Sequence, residues 1–261
     1  MTSADPSSWV VNKFGGSSVA DADCFARVAA ILESHPGKRL AVVLSACRGV
    51  TDALLQLVLL AERRDAAWQT QLAALRQRHA DIAHALLLPG AATEYLTEFD
   101  RDAADLDGVL RTTQVMRTAG QHVRDKVSGY GEIWSTRLFW RYLAHRGKRG
   151  ALQWIDARAC VVAEWGPLGP SIQWQSSTDR LRALVRPEAE TLVITGYIAS
   201  DPAGIQTTLG RNGSDFSASI FGALLGASEI QIWTDVDGVL SADPRRVPDA
   251  QIISEIGRAH V

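Results

Sequence analysis

The run Leu40-Ala41-Val42-Val43-Leu44 constrains the fold of this chain more than any other segment. It is apolar without alternation and of strand length, and His35-Pro36-Gly37 lies just before it, which is the pattern of a strand buried on both faces. Such a strand belongs to a parallel sheet with helices on either side.

The flanking sequence repeats this logic. Trp9 to Phe14 is short, apolar and β-prone; Gly15 and Gly16 break it; Asp21 can cap a helix whose apolar face uses Phe25, Val28, Ala29 and Leu32. From Thr51 to about Ala144 the pattern is helical, rich in Ala, Leu, Arg and Gln, with breaks at Pro89-Gly90 and around Gly129 to Gly131. Strands are expected again at Leu152 to Ile155, Leu192 to Ile198 and Gly204 to Leu209, then a helix from about Ser214 to Leu225 and a strand from Glu229 to Thr234. The alternation predicts an α/β domain with a mostly parallel central sheet. Trp165 to Pro170 reads as a Gly/Pro loop dividing two lobes.

Composition narrows the function. With 261 residues, 46% of them hydrophobic, the chain can bury a large core. A net charge of -2 leaves no basic excess to neutralise a phosphate backbone, which argues against nucleic acid or a membrane surface as the partner and leaves small anionic ligands open. The longest apolar helical candidate, Ala53 to Ala61, falls far short of the roughly 20 residues a membrane span requires. Residues 1–8 form a polar leader without signal-peptide character, and Cys24, Cys47 and Cys160 show no metal-like spacing. A cytoplasmic protein with reduced thiols is the expectation. His79, His84, His122 and His145 fit no metal pattern and are expected at the surface or in packing, while Trp134, Trp140, Trp154, Trp165 and Trp174 are expected in core or interface packing. The arginines of 137–149 read as a solvated helix end.

Three runs carry chemistry. Lys13-Phe14-Gly15-Gly16-Ser17-Ser18 closes the first strand, so its amides can meet an anion beside a lysine, although a strand followed by two glycines is also a common plain turn. Neither a Walker A lysine pattern nor Rossmann glycine spacing is present there. Leu209-Gly210-Arg211-Asn212-Gly213-Ser214-Asp215-Phe216-Ser217-Ala218 places a loop before a helix with an arginine and an aspartate close together; Ser214 or Asp215 could also be a simple helix cap. Thr234-Asp235-Val236-Asp237-Gly238-Val239 follows a strand, with Ser241-Ala242-Asp243-Pro244-Arg245 just after, and lacks the later ligands of a calcium loop.

In this order and at these separations, the three runs resemble the aspartate kinase branch of the amino acid kinase family. Val43-Leu44-Ser45-Ala46, Gly129-Tyr130-Gly131-Glu132 and Ile194-Thr195-Gly196-Tyr197-Ile198 add to the likeness, which covers residues 9 to about 256. It implies a three-layer sandwich around the parallel sheet, with its C-terminal part missing here. The activity it implies is transfer of the γ-phosphoryl of ATP to the β-carboxylate of L-aspartate, with Mg²⁺, at the head of lysine, threonine and methionine biosynthesis. Lys13 and Asp215 would be catalytic. ATP would meet Lys13, Gly15, Gly16, Ser17, Ser214, Thr234, Asp235, Asp243 and Arg245, and aspartate would meet Ser45, Thr51, Glu132 and Arg211. No protein-held metal site is expected. Leu240 departs from the family, which usually has tyrosine there. The family continues beyond the position of Ile256 with a nucleotide-binding lysine and two regulatory domains, whereas 257–261 resemble neither and are expected to be a non-native tail. A homo-oligomer is expected of the full-length protein, and a fusion to diaminopimelate decarboxylase or homoserine dehydrogenase is a further expectation. Kinases of acetylglutamate or glutamate, and an inactive nucleotide-binding fragment, are the competing readings.

Overall fold

A computed structural model describes residues 8–35, 38–210, 212–234, 238, 240–243 and 246–253. Among them, five parallel strands form one sheet in the order β3-β6-β2-β1-β9: β1 is Trp9–Phe14, β2 Arg39–Leu44, β3 Leu152–Ile155, β6 Thr191–Thr195 and β9 Glu229–Trp233. Leu40 to Leu44 are all at most 1% exposed, as their unbroken apolarity requires. Helix α6, Tyr130–Arg146, packs on β2, β3 and β6, with α1, Ala22–Glu33, beside it through the Phe25 and Phe139 rings. Helix α8, Gly213–Leu224, packs on β1, β2 and β9, with α7, Trp174–Leu184, next to it. The result is the expected three-layer α/β arrangement. Asp21 caps α1 by accepting from the Cys24 amide at 2.8 Å.

Register positions the crevice. Phe14 pairs with Leu44 and with Trp233, and Leu44 with Thr195, so four strands end at one level. The turns that follow them all open at the carboxyl edge of the sheet, where open α/β sheets bind ligands.

The long helical stretch divides into α2, Val50–Glu62; α3, Ala67–Leu86; α4, Pro89–Met116; α5, Gln121–Ser128; and α6. Pro89 opens α4 as expected. Breaks after α2 and α4 lack a glycine or proline signal because Arg64 and Arg117 themselves take left-handed conformations, at φ 58° and 59°. His79 is fully buried against Phe99 and Trp134, and burial pulls its pKa down to about 4, a neutral packing residue. His84, His122 and His145 are exposed.

Four expectations need correction. The segment Trp165 to Pro170 is the turn of an antiparallel hairpin of β4, Ala163–Gly166, and β5, Gly169–Ile172. The strand expected over Leu192 to Ile198 ends at Thr195, and the chain restarts as β7, Ile198–Ser200, paired antiparallel with β8, Gln206–Thr208. Tyr197, at φ 66°, makes that corner. The arginines of 137–149 are not merely solvated: Arg137 reaches Asp102 and Arg141 reaches Glu98, each at 2.7 Å, Arg146 grips Glu33, and Arg149 donates to the carbonyls of His35 and Lys38. Trp165 and Trp174 are 52% and 49% exposed, outside any core.

Candidate active site

Lys13 is the next-to-last residue of β1, and its ammonium lies 2.6 Å from a carboxylate oxygen of Asp215 in the first turn of α8. The cap of α8 is Asn212, at φ 58°, rather than Ser214 or Asp215, so both of those side chains are released for other contacts. The turn after β1 is stitched to the turn after β2: Ser45 N donates to Phe14 O at 3.2 Å, and Arg48 N to Gly16 O at 3.0 Å. Gly16 permits this approach, since a Cβ there would stand 2.9 Å from Ala46 O. Ser45 Oγ then bonds Ser214 Oγ at 2.9 Å, joining the β2 turn to α8.

The lining of the cleft is different chemically. Glu132, in the first turn of α6, is 3% exposed; its Oε1 accepts from Ala46 N at 3.2 Å, and its Oε2 has no hydrogen-bond partner among the described residues. Burial is the main cause that pushes its pKa up to about 8, only partly opposed by the Ala46 amide. An unpaired buried carboxylate oxygen facing a cleft is a demand for a cationic ligand or a proton. The cleft itself encloses about 680 Å³, and Gly16, Ser45, Thr51, Glu132 and Ser214 line it.

Gly16, Ser45, Thr51, Glu132 and Ser214 thus meet in the cleft lining, and the Lys13–Asp215 pair stands beside it, outside that lining. Gly15 sits in the same turn, its carbonyl accepting from Ser18 N at 3.0 Å. Ser17 and Thr234 line a separate depression of about 240 Å³, beside Phe14 and Trp233, whose rings stack 5.7 Å apart. Asp243 is exposed and lines neither cavity. Arg211, Asp235 and Arg245 lie outside the described residues.

Sequence reasoning left out several residues of the cleft lining, among them Tyr197, Gln121 and Trp165. Tyr197 turns the corner between β6 and β7 and holds α8 by donating its amide to Ser217 Oγ at 2.9 Å. Gln121 enters from α5 and bonds the buried Asp125 at 2.8 Å. Trp165 comes from the β4–β5 hairpin. Tyr197 and Trp165 each adjoin a glycine but carry no side-chain signal that points to the cleft, and Gln121 lies in a plain helical stretch.

Known proteins share this arrangement. The chain is 36% identical over 253 residues to lysine-sensitive aspartokinase 3 of Escherichia coli, covering 96% of this chain and 54% of that protein. It is 37% identical over 255 residues to a bifunctional aspartokinase/homoserine dehydrogenase of Daucus carota, covering 95% of this chain and 27% of that one. The crystal structure of E. coli aspartokinase III in complex with aspartate and ADP superposes with a TM-score of 0.81 at 32% identity, over 94% of this chain and 53% of that structure. The chain therefore spans about half the length of the single-function relative and about a quarter of the bifunctional one. The profile of the amino acid kinase family matches residues 8–261, and with the parallel sheet and its carboxyl-edge crevice in place, the chain belongs to that family.

Proposed function

We propose that the protein carrying this chain is an ATP-dependent aspartate kinase that transfers the γ-phosphoryl group to the β-carboxylate of L-aspartate. The observation that supports the reading is the buried, unpartnered Glu132 oxygen in a cleft whose lining includes Ser214, next in sequence to the Asp215 carboxylate that holds the Lys13 cation. Its relatives are aspartokinases, and one neighbouring structure holds aspartate and ADP.

An anionic acceptor and a triphosphate repel; two unit charges ~4 Å apart do so by about 4 kcal/mol at an effective dielectric of ~20. Lys13 offsets that repulsion at the transferring group, while Asp215 holds the ammonium beside the crevice. The Gly15, Gly16 and Ser17 amides hold phosphate oxygens, and Ser214 lies at the start of α8, where the helix dipole favours anions. Glu132 binds the α-ammonium of the acceptor; Ser45 and Thr51 add hydroxyl contacts; Arg211 grips the α-carboxylate; and Thr234, Asp235, Asp243 and Arg245 serve the nucleotide. The described residues contain no group of three metal-ligating side chains. A Mg²⁺ ion would accompany ATP, held by phosphate oxygens, and would offset charge there.

The test is an ADP-release assay on the full-length protein with a panel of acceptors. L-Aspartate should support turnover, whereas N-acetyl-L-aspartate and N-acetyl-L-glutamate, whose amino groups carry no charge, should not. Turnover of an acylated acceptor in preference to aspartate would reject the assignment.

A further inference from the structure

Trp165 stands apart from the other exposed aromatic side chains. It lies on the outer part of the β4–β5 hairpin, where Glu164, Gly166 and Leu168 face solvent, yet its indole N–H is shared between Thr207 Oγ1 and Thr208 O, each at 3.0 Å. Those two threonines also approach the buried Asp125 carboxylate, Thr208 at 3.1 Å, and Asp125 holds Gln121 in the cleft lining. The indole therefore ties the hairpin into the framework behind the cleft.

Its ring does more than anchor. Gly210 lies under it so closely that a Cβ would stand 3.1 Å from ring carbon Cη2, and Gly210 also takes a left-handed φ of 74°. Gly210 opens the turn that closes with Gly213 N donating to Gly210 O at 3.0 Å and leads directly into Ser214 and Asp215. A large flat side chain thus presses on the backbone that delivers the α8 side chains to the crevice. The same indole lines the cleft and leaves about half its surface open, an exposure of aromatic area that a ligand in the cleft would relieve.

We propose that Trp165 is a positioning residue of the acceptor site: it packs over Gly210 at the edge of the cleft, and a bound acceptor covers its open face. The inference rests on the aspartate kinase reading for the identity of that acceptor. Trp165→Phe keeps a ring over Gly210 and loses the N–H bonds; Trp165→Ala loses both.

In the full-length protein, Trp165→Phe should raise KM for aspartate about 2- to 10-fold, the equivalent of one hydrogen bond, and Trp165→Ala should raise it further. KM for ATP should stay within about twofold of wild type in both. The emission lost in Trp165→Phe, obtained as a wild-type minus variant spectrum, should become shielded from acrylamide when aspartate is added. A role confined to folding predicts the opposite: a lowered Tm, unchanged KM for aspartate and no ligand-dependent shielding. That outcome overturns the proposal, and the spectrum of the Phe variant decides the matter even if Trp165→Ala fails to fold. Wild-type protein that turns over no aspartate rejects the function itself, whereas wild-type turnover with unaltered variants rejects only the role of Trp165.

Discussion

Two charged walls, the ion pair beside the cleft and the acid in its lining, solve the same problem in opposite ways. On one, Lys13 and Asp215 meet at 2.6 Å, the lysine 12% exposed and the aspartate 42%, so the protein supplies both charges and water reaches one of them. On the other, Glu132 is 3% exposed with one oxygen unpartnered, so its charge is left uncompensated by the described residues. A balanced pair keeps a cation in place whether or not ligand is bound. An unbalanced acid ties its ionisation to the arrival of a cation, and thereby reads the ligand.

The largest effect should come from breaking the balanced wall. Lys13→Met should lower kcat by about 10²- to 10³-fold or more, the scale of losing one preorganised charge stabiliser, as measured by ADP release. The fold should barely notice, with a Tm within a few degrees of wild type, because a pair with one partner substantially exposed contributes at most ~1 kcal/mol. A kcat within twofold of wild type would show that the pair is structural only.

Removing the charge from the unbalanced wall should act on binding. Glu132→Gln should raise KM for aspartate about 10- to 100-fold, since a hydrogen bond between charged partners amounts to ~1.5–3 kcal/mol, with a smaller effect on KM for ATP. Equal losses against both substrates would place Glu132 in the scaffold rather than in recognition.

The pH dependence sharpens the contrast. Glu132 titrates at about 8 when folded, against an ordinary glutamate value of 4.5. The folded value is the higher, so between the two the folded chain holds a proton that the unfolded chain has lost. The stabilisation from that proton is complete below 4.5 and falls as pH rises, by up to about 1.4 kcal/mol per pH unit, until 8. Affinity for aspartate should move the other way, strengthening up to about tenfold per unit as pH approaches 8, with about one proton released per aspartate bound near pH 7. Calorimetry in buffers of different ionisation enthalpy measures that proton, and Glu132→Gln should abolish it. A release of zero at pH 7 in wild type would mean that Glu132 is already ionised.

The smallest effect belongs to the seam between the walls. Ser45→Ala removes the 2.9 Å hydroxyl contact with Ser214 and should cost about 0.5–1.5 kcal/mol in thermal unfolding, with KM for aspartate rising a few-fold. No change in either would make the contact incidental.

Much of this architecture was legible beforehand because local rules agreed with the global ones. Unbroken apolarity in Leu40 to Leu44 marked a central strand, Asp21 marked a helix start, and Lys13-Phe14-Gly15-Gly16 marked a turn at a strand end. The helix breaks at Arg64 and Arg117 were hidden because non-glycine residues there hold left-handed conformations that no glycine or asparagine announces. Trp165 was hidden for a related reason: its partners Thr207, Thr208 and Gly210 lie more than forty positions away, and no periodicity reports such a contact.

By itself, the order of residues determined the strand–turn–helix alternation and the parallel sheet, since these depend on backbone preference and on apolar patterning within a short window. Only the tertiary structure decided that Glu132 is buried with an oxygen left over, that the Trp165 indole rests on Gly210, and that Ser17 and Thr234 lie in a depression apart from the main cleft. Burial and the direction of a side chain are set by everything packed around it, and the raised proton affinity of Glu132 comes mainly from the water that this packing removes.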